Sequence, residues 1–158
     1  PHIDQSLSWI VKTFQAAGIE ADLSEDLESL IWGKLVVNVG INALAAILRV
    51  PNGALGSTRE CKQIMANAIL EAETVARSFN ITLPYANTLE HVKKVCENTA
   101  ENRASMLQDI LKGKQTEISA INRAIVRRGK VLGVATPYNA FLSEIIEAME
   151  ATWEKRIQ

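Results

Sequence analysis

One segment constrains this chain more than any other: residues 27–48, LESLIWGKLVVNVGINALAAIL, which are apolar almost without a break. A helix that is apolar nearly all round belongs inside a domain or between domains. Three polar residues interrupt it, Lys34, Asn38 and Asn42. Their i, i+4, i+8 spacing lays them along one helix face. A lysine and two amides among Leu35, Val36, Val37, Val39, Ile41 and Leu44 are costly to bury without partners. Two readings stand side by side. The three residues form a solvated stripe on an otherwise buried helix, or they form the polar wall of a ligand cleft, because pockets are mostly apolar with a few placed polar groups. A lysine suits the second reading chemically. Its ammonium hydrogen-bonds a carbonyl oxygen, stabilises charge developing there and can pass on a proton. Amides beside it can orient a small polar substrate.

The rest of the chain is helical in rhythm. Leu7, Ile10, Val11 and Phe14 recur at helical spacing from Ser6 to Ala17, up to Gly18. Ile19 to Leu23 alternates as a short strand does, and Ser24 is a candidate N-cap for the long helix. Pro51-Asn52-Gly53 marks a turn. Ser57-Thr58-Arg59-Glu60 reads as a capping box opening a helix that runs to about Phe79. Pro84 suits the first position of the next helix. A helix is expected over Arg103 to Lys112, stopping at Gly113, and another from Glu117 to about Arg128, capped by Thr116 and ended by Gly129. Thr136-Pro137 starts the last helix, with Phe141, Ile145, Ile146, Met149 and Trp153 on its buried side. The predicted fold is all-α with about seven helices, preceded by a helix-strand piece.

Composition narrows the function classes. The chain has 158 residues, 47% hydrophobic and 22% charged, as a soluble globular domain does. At that length it buries a core without a metal or disulfide staple. A net charge of −1 gives no ground for nucleic acid or an anionic membrane as partner. Arg127, Arg128 and Lys130 read as a helix C-terminus facing water. No run of about 18 uninterrupted apolar residues occurs, so no membrane span is expected. Cys61 and Cys96 lie far apart without metal-ligand spacing. They read as reduced structural thiols, which suits the cytoplasm, and no metal site is expected. Pro1-His2-Ile3-Asp4 has neither a signal-peptide pattern nor an initiating Met, so the chain is expected to be a piece of something longer.

A second group of polar residues lies downstream. Ser105 sits within a predicted helix, where its hydroxyl either bonds back to the chain or faces a ligand. Glu117 falls in a first helical turn, where a carboxylate also compensates the dipole. His91, beside Lys93 and Lys94, is expected to be exposed with no nucleophile near it, and Asp109 to be structural.

Taken in order, these segments resemble one family. Trp32-Gly33-Lys34-Leu35-Val36-Val37-Asn38-Val39-Gly40-Ile41-Asn42 resembles the ketopantoate reductase pattern W-x-K-L-x-x-N-x-x-x-N. Pro51-Asn52-Gly53, Ser105-Met106-Leu107-Gln108-Asp109, Gly113-Lys114-Gln115-Thr116-Glu117-Ile118, Ile121-Asn122 and Thr136-Pro137-Tyr138-Asn139 follow at the family's separations. Ser119 and Arg123 depart from the family's usual Asp and Gly.

The resemblance implies an NADPH-dependent reduction of ketopantoate (2-dehydropantoate) to pantoate, a step towards pantothenate and coenzyme A. It implies Lys34 as general acid; Asn38, Asn42, Asn52 and Ser105 as substrate-side residues; and Glu117 as a substrate ligand near the nicotinamide end of the cofactor. It implies a helical C-terminal domain of the phosphogluconate-dehydrogenase-like type over residues 25–158, and a tail of a preceding Rossmann domain over residues 1–24. The Gly-rich strand-turn-helix that such a cofactor needs does not occur here, since Gly53-Ala54-Leu55-Gly56 has no strand before it. The expected partners are therefore a separate N-terminal nucleotide-binding domain, a small 2-oxo acid and, through apolar faces left uncovered, a second copy of the chain. Another 2-oxo acid as substrate, or a non-catalytic helical binding module, are the alternatives.

Overall fold

The structure, a computed structural model, describes residues 5–155. The opening Pro1-His2-Ile3-Asp4, read above for its lack of a signal pattern, lies outside the described residues. The described chain is all-α. Its helices are α1 (Gln5–Ala16), α2 (Leu27–Leu48), α3 (Asn52–Leu55), α4 (Arg59–Ser78), α5 (Thr88–Asn98), α6 (Ser105–Leu111), α7 (Asn122–Leu132) and α8 (Pro137–Ala151), followed by a 3-10 turn, Trp153–Lys155.

Helix α2 is the axis of the domain, and α3, α4, α5, α6 and α8 all pack on it. Val36, Val39, Ala43, Ala45 and Ala46 are fully buried along it, facing Met65, Ala68, Ile69 and Ala72 of α4 within one continuous core. Taken by length and composition alone, α2 is long and apolar enough to cross a membrane, although its polar residues break every uninterrupted run. In the fold, 61% of its most apolar stretch is buried by neighbouring helices, as in the core helix of a domain.

Several expected element ends move, each for a local reason. The cap of α2 is Asp26, whose Oδ1 accepts from Ser29 N at 2.9 Å; Ser24 Oγ accepts from Asp26 N and so braces the cap instead. Helix α4 is capped by Thr58, accepting from Cys61 N, while Ser57 Oγ donates to Ala54 O. Pro84 opens no helix: α5 starts four residues later behind Asn87, which accepts from Glu90 N. Residues 19–24 form no strand, because nothing among the described residues offers them a ladder partner.

The largest displacement is at α7, which begins at Asn122 rather than Glu117. Thr116 Oγ1 accepts from Ile118 N, Glu117 O accepts from both Ala120 N and Ile121 N, and Arg123 N reaches back to Ile118 O. These bonds wind residues 116–121 as successive turns that bury Ile118 and Ile121. The helix then passes through Gly129 and stops at Gly133, whose φ of 69° is the left-handed closure. Gly129 is inside the helix for close packing, since a Cβ there would lie 2.8 Å from Val134 O. On α8 the buried face is Asn139, Leu142, Ser143 and Ile146, and Phe141 is 62% exposed. The departing residue Arg123 pairs with Glu147 of α8 through two of its guanidinium nitrogens, Nε and Nη2, tying α7 to α8.

Arg127 and Arg128 are exposed near the C-terminus of α7, as expected. Arg128 also lies over the rings of Trp32 and Phe79, 5.1 and 5.5 Å from their centroids. His91, expected to be exposed, is half-buried and stacked on Tyr85 with centroids 3.7 Å apart. Both cysteines are free thiols. Burial, with Glu97 nearby as the lesser cause, pushes the fully buried Cys96 thiol up to about 11. Its reactive thiolate is therefore scarce at mildly alkaline pH. Alkylation of the folded protein should modify Cys61 alone, visible as one added group by mass spectrometry, and labelling of Cys96 without unfolding would contradict this.

Candidate functional site

Lys34, Asn38 and Asn42 share one face of α2, and that face runs from solvent into the core. Lys34 is exposed, Asn38 is half-buried and Asn42 is only 6% exposed. The solvated-stripe reading describes the Lys34 end, while Asn42 is taken into the core. Around Lys34 the helix is firmly anchored, because Trp32 and Val36 are buried on the opposite side and Trp32 packs on Phe79, centroids 6.3 Å apart. The ammonium therefore stands on a rigid mount.

The other candidate residues are carried by elements that pack on or bond to α2. Asn52, at the start of α3, is buried. Its backbone N donates to Asn102 O at 3.0 Å and its Nδ2 to Thr99 Oγ1 at 2.9 Å. Its Oδ1 is buried without a hydrogen-bond partner, a costly state for a polar atom. The first of those bonds ties α3 to the loop just before α6. Ser105 is the first residue of α6, which packs on α2, and it is exposed. Glu117 is exposed in the turn leading to α7. That turn is fastened to the middle of α2 by Asn122 Nδ2, which donates to Val39 O at 3.2 Å.

The fold brings the candidate-bearing elements together but does not enclose their side chains. A surface cavity of about 550 Å³ lies beside α6, between Arg103, Gln108 and Lys112, and includes none of the six candidates. Lys34, Ser105 and Glu117 all face outward from this chain, so the cleft expected around the lysine needs a further wall. Among the described residues no group of His, Cys, Asp and Glu is placed to hold a metal ion.

The Gly53–Gly56 stretch offers no cradle for a cofactor phosphate, since Gly53, Ala54 and Leu55 lie in α3 and Gly56 caps it. The open side of Gly53 is filled by Ala100, whose Cα a Cβ at 53 would meet at 2.9 Å. No phosphate can approach that backbone closely, so these residues do not fit a dinucleotide's pyrophosphate.

Sequence reasoning passed over one buried constellation. Asn122 and Asn139 are both fully buried, and Asn122 Nδ2 donates to Asn139 Oδ1 at 3.0 Å. Asn139 Nδ2 donates to Ala68 O and to Glu71 Oε2, and Glu71 also accepts the backbone N–H groups of Tyr138 and Asn139. A carboxylate from α4 thereby caps the N-terminus of α8, a place where negative charge is favoured. The signal was present in Ile121-Asn122 and Tyr138-Asn139, which carry amides at otherwise apolar-patterned positions.

These features define a class: an all-helical domain with a buried, lysine-bearing axial helix and polar residues on its neighbours, with Lys34, Ser105 and Glu117 exposed. Residues 26–150 match the family described as Ketopantoate reductase PanE/ApbA C terminal. The chain is 35% identical over 150 residues to the 2-dehydropantoate 2-reductase of Pyrobaculum aerophilum, covering 95% of this chain and 53% of that protein. It is 35% identical over 142 residues to that of Archaeoglobus fulgidus, covering 90% and 47%. A crystal structure of a PanE/ApbA family ketopantoate reductase from Ralstonia eutropha superposes with a TM-score of 0.88 at 30% identity, over 93% of this chain and 49% of that one. D-mandelate dehydrogenase, solved with NADH and anilino(oxo)acetate, superposes with a TM-score of 0.86 at 33% identity, over 93% and 48%. The chain belongs to the ketopantoate reductase family and corresponds to its C-terminal domain. It spans about half the length of the curated relatives it matches.

Proposed function

We propose that this chain is the substrate-side half of a two-domain reductase that converts ketopantoate to pantoate with NADPH. In this reading residues 25–158 form the catalytic helical domain and residues 1–24 the tail of a nucleotide-binding Rossmann domain. The observation that carries it is Lys34, exposed on a rigidly packed α2, in a chain half as long as its reductase relatives. The nicotinamide, held by the other domain, would supply the hydride. Lys34 would donate its proton to the carbonyl oxygen, where charge develops in the transition state. Asn38 and Asn42 would orient the substrate, and Ser105 would face its carboxylate. Asn52 would lie on the substrate side behind these residues, its Nδ2 committed to Thr99 and its buried Oδ1 left without a partner in the chain. Glu117 would hold the substrate hydroxyl beside the nicotinamide. Free thiols at Cys61 and Cys96 agree with a reducing, cytoplasmic setting.

A second reading keeps the chemistry and changes the oxo acid. The likeness to D-mandelate dehydrogenase, at 33% identity, favours it over a non-catalytic module. A module predicts no Gly-rich nucleotide fold encoded upstream of Pro1. The test is a panel on the full-length protein: ketopantoate, the oxo acid corresponding to mandelate, and small aliphatic 2-oxo acids, each with NADPH and NADH. The highest kcat/KM is expected for ketopantoate with NADPH. A preference for another acid moves the assignment to the second reading, and inactivity on all of them removes it. Self-association is part of the same proposal, because Leu27, Ile31 and Phe141 are 64, 58 and 62% exposed. Sedimentation of the same preparation as a strict monomer would remove that part.

A further inference from the structure

The turn that carries Glu117 is held from outside by the far end of the chain. Thr116 N donates to Glu150 Oε1 at 2.7 Å, a partly buried bond between residues 34 apart in sequence. Three residues earlier, Gly113 has a φ of 65°, and a Cβ there would run into the indole ring of Trp153. Glycine is thus required twice at 113, by the backbone and by the ring lying on it. Between these two contacts remains only a small cavity of about 140 Å³, bounded by Ile110, Lys114 and Gln115.

Glu150 is placed where its own helix does not favour it. It lies in the last turn of α8, where the helix dipole disfavours a carboxylate. Accepting the Thr116 amide gives that carboxylate a charge-assisted partner. The consequence falls on the next residue. Thr116 is buried and its Oγ1 bonds onward to Ile118 N, while Glu117, between them, is exposed. With the amide before it and the amide after it both fixed, and its own carbonyl accepting from Ala120 N and Ile121 N, the direction in which Glu117 projects is set by the turn's backbone bonds and not by its carboxylate.

We propose that Glu150, with Trp153 lying on Gly113, is a positioning residue that aims Glu117 at the substrate; this rests on the reductase reading above. Displacement of a substrate-holding group by about 1 Å is enough to cost one to two orders of magnitude. The test compares Glu150→Ala and Glu150→Gln in the full-length protein by amide hydrogen exchange and steady-state kinetics. In Glu150→Ala, exchange at Thr116 should rise at least about tenfold while α2 stays protected, and KM for the 2-oxo acid should rise about tenfold with kcat changed less than about threefold. Glu150→Gln keeps an acceptor for the Thr116 amide and should return KM to within about threefold of wild type. A residue that merely supported the fold would lower the active fraction, and so apparent kcat, and leave KM alone. Unchanged exchange at Thr116, a KM that does not move, or a glutamine variant as impaired as alanine would each overturn the proposal. Should Glu150→Ala fail to fold, Trp153→Ala is expected to raise the same KM, and an unmoved KM there would equally overturn it. If the wild-type protein reduces no 2-oxo acid, the reductase reading fails, and exchange at Thr116 still decides whether Glu150 holds the turn.

Discussion

Replacing Lys34 with alanine in the full-length protein is expected to lower turnover of ketopantoate with NADPH by about 10²-fold or more. In transition-state terms that is about 2.7 kcal/mol. As hydride reaches the carbonyl carbon, the oxygen gains charge, and an ammonium already fixed at that place stabilises the transition state more than the ground state. Helix α2, 22 residues long with Trp32 and Val36 buried on the side opposite the lysine, fixes the backbone from which Lys34 projects. Because Lys34 is itself exposed, the substitution should leave the fold intact, with stability changed by no more than about 0.5 kcal/mol. Loss of kcat and kcat/KM together with an unchanged melting temperature is the expected pattern. A rise in KM alone would make Lys34 a binding group, and unchanged turnover would remove it from the site.

The second large effect concerns stability. Asn139→Ala should destabilise the domain by about 2–4 kcal/mol, lowering Tm by roughly 5–15 °C. Asn139 is fully buried and joins three helices: it accepts from Asn122 of α7, donates to Ala68 O and Glu71 of α4, and stands in the first turn of α8. Alanine keeps the backbone N–H to Glu71 but strips three side-chain bonds at once. It leaves Ala68 O without this donor and removes one of the two acceptors of Asn122 Nδ2. The Asn122 Oδ1 is already buried without a partner, so the network has no slack. Thermal unfolding followed by circular dichroism measures the cost, and a Tm within about 2 °C of wild type would show that the network is not structural glue. The two substitutions are complementary: the first should spare stability and lower turnover, and the second should act through stability.

Much of the fold was legible because local chemistry decides it. The apolar length of residues 27–48 and the Thr58 region specify helices through periodicity and caps that need no distant partner, and Pro137 marks the start of α8 locally although its cap comes from Glu71 of α4. What local rules missed involves atoms far apart in sequence. Glu117 has good helix-start credentials, yet the turns around it prevail, because winding residues 116–121 more loosely lets Ile118 and Ile121 both reach the core. Gly129 reads as a stop, yet it is a contact point with Val134. Phe141 fits a helical stripe, yet the buried side of α8 is chosen by where α2 and α4 lie.

The candidate residues divide the same way. Lys34, Asn38 and Asn42 were found from the sequence, since spacing along one helix fixes a shared face whatever surrounds it. How far each lies from water was not, because burial is conferred by other helices: they cover Asn42 and leave Lys34 open. Asn122 and Asn139, quoted from the sequence only as parts of family segments, prove to be internal struts, a role that rests on carbonyls 83 and 71 positions away. An all-α domain, its axial helix and the polar face upon it follow from period and composition alone. That the face runs from solvent at Lys34 into the core at Asn42, and that the Glu117 turn is tethered to Glu150, came from the packing, because both depend on which distant segments the burial of the core brings side by side.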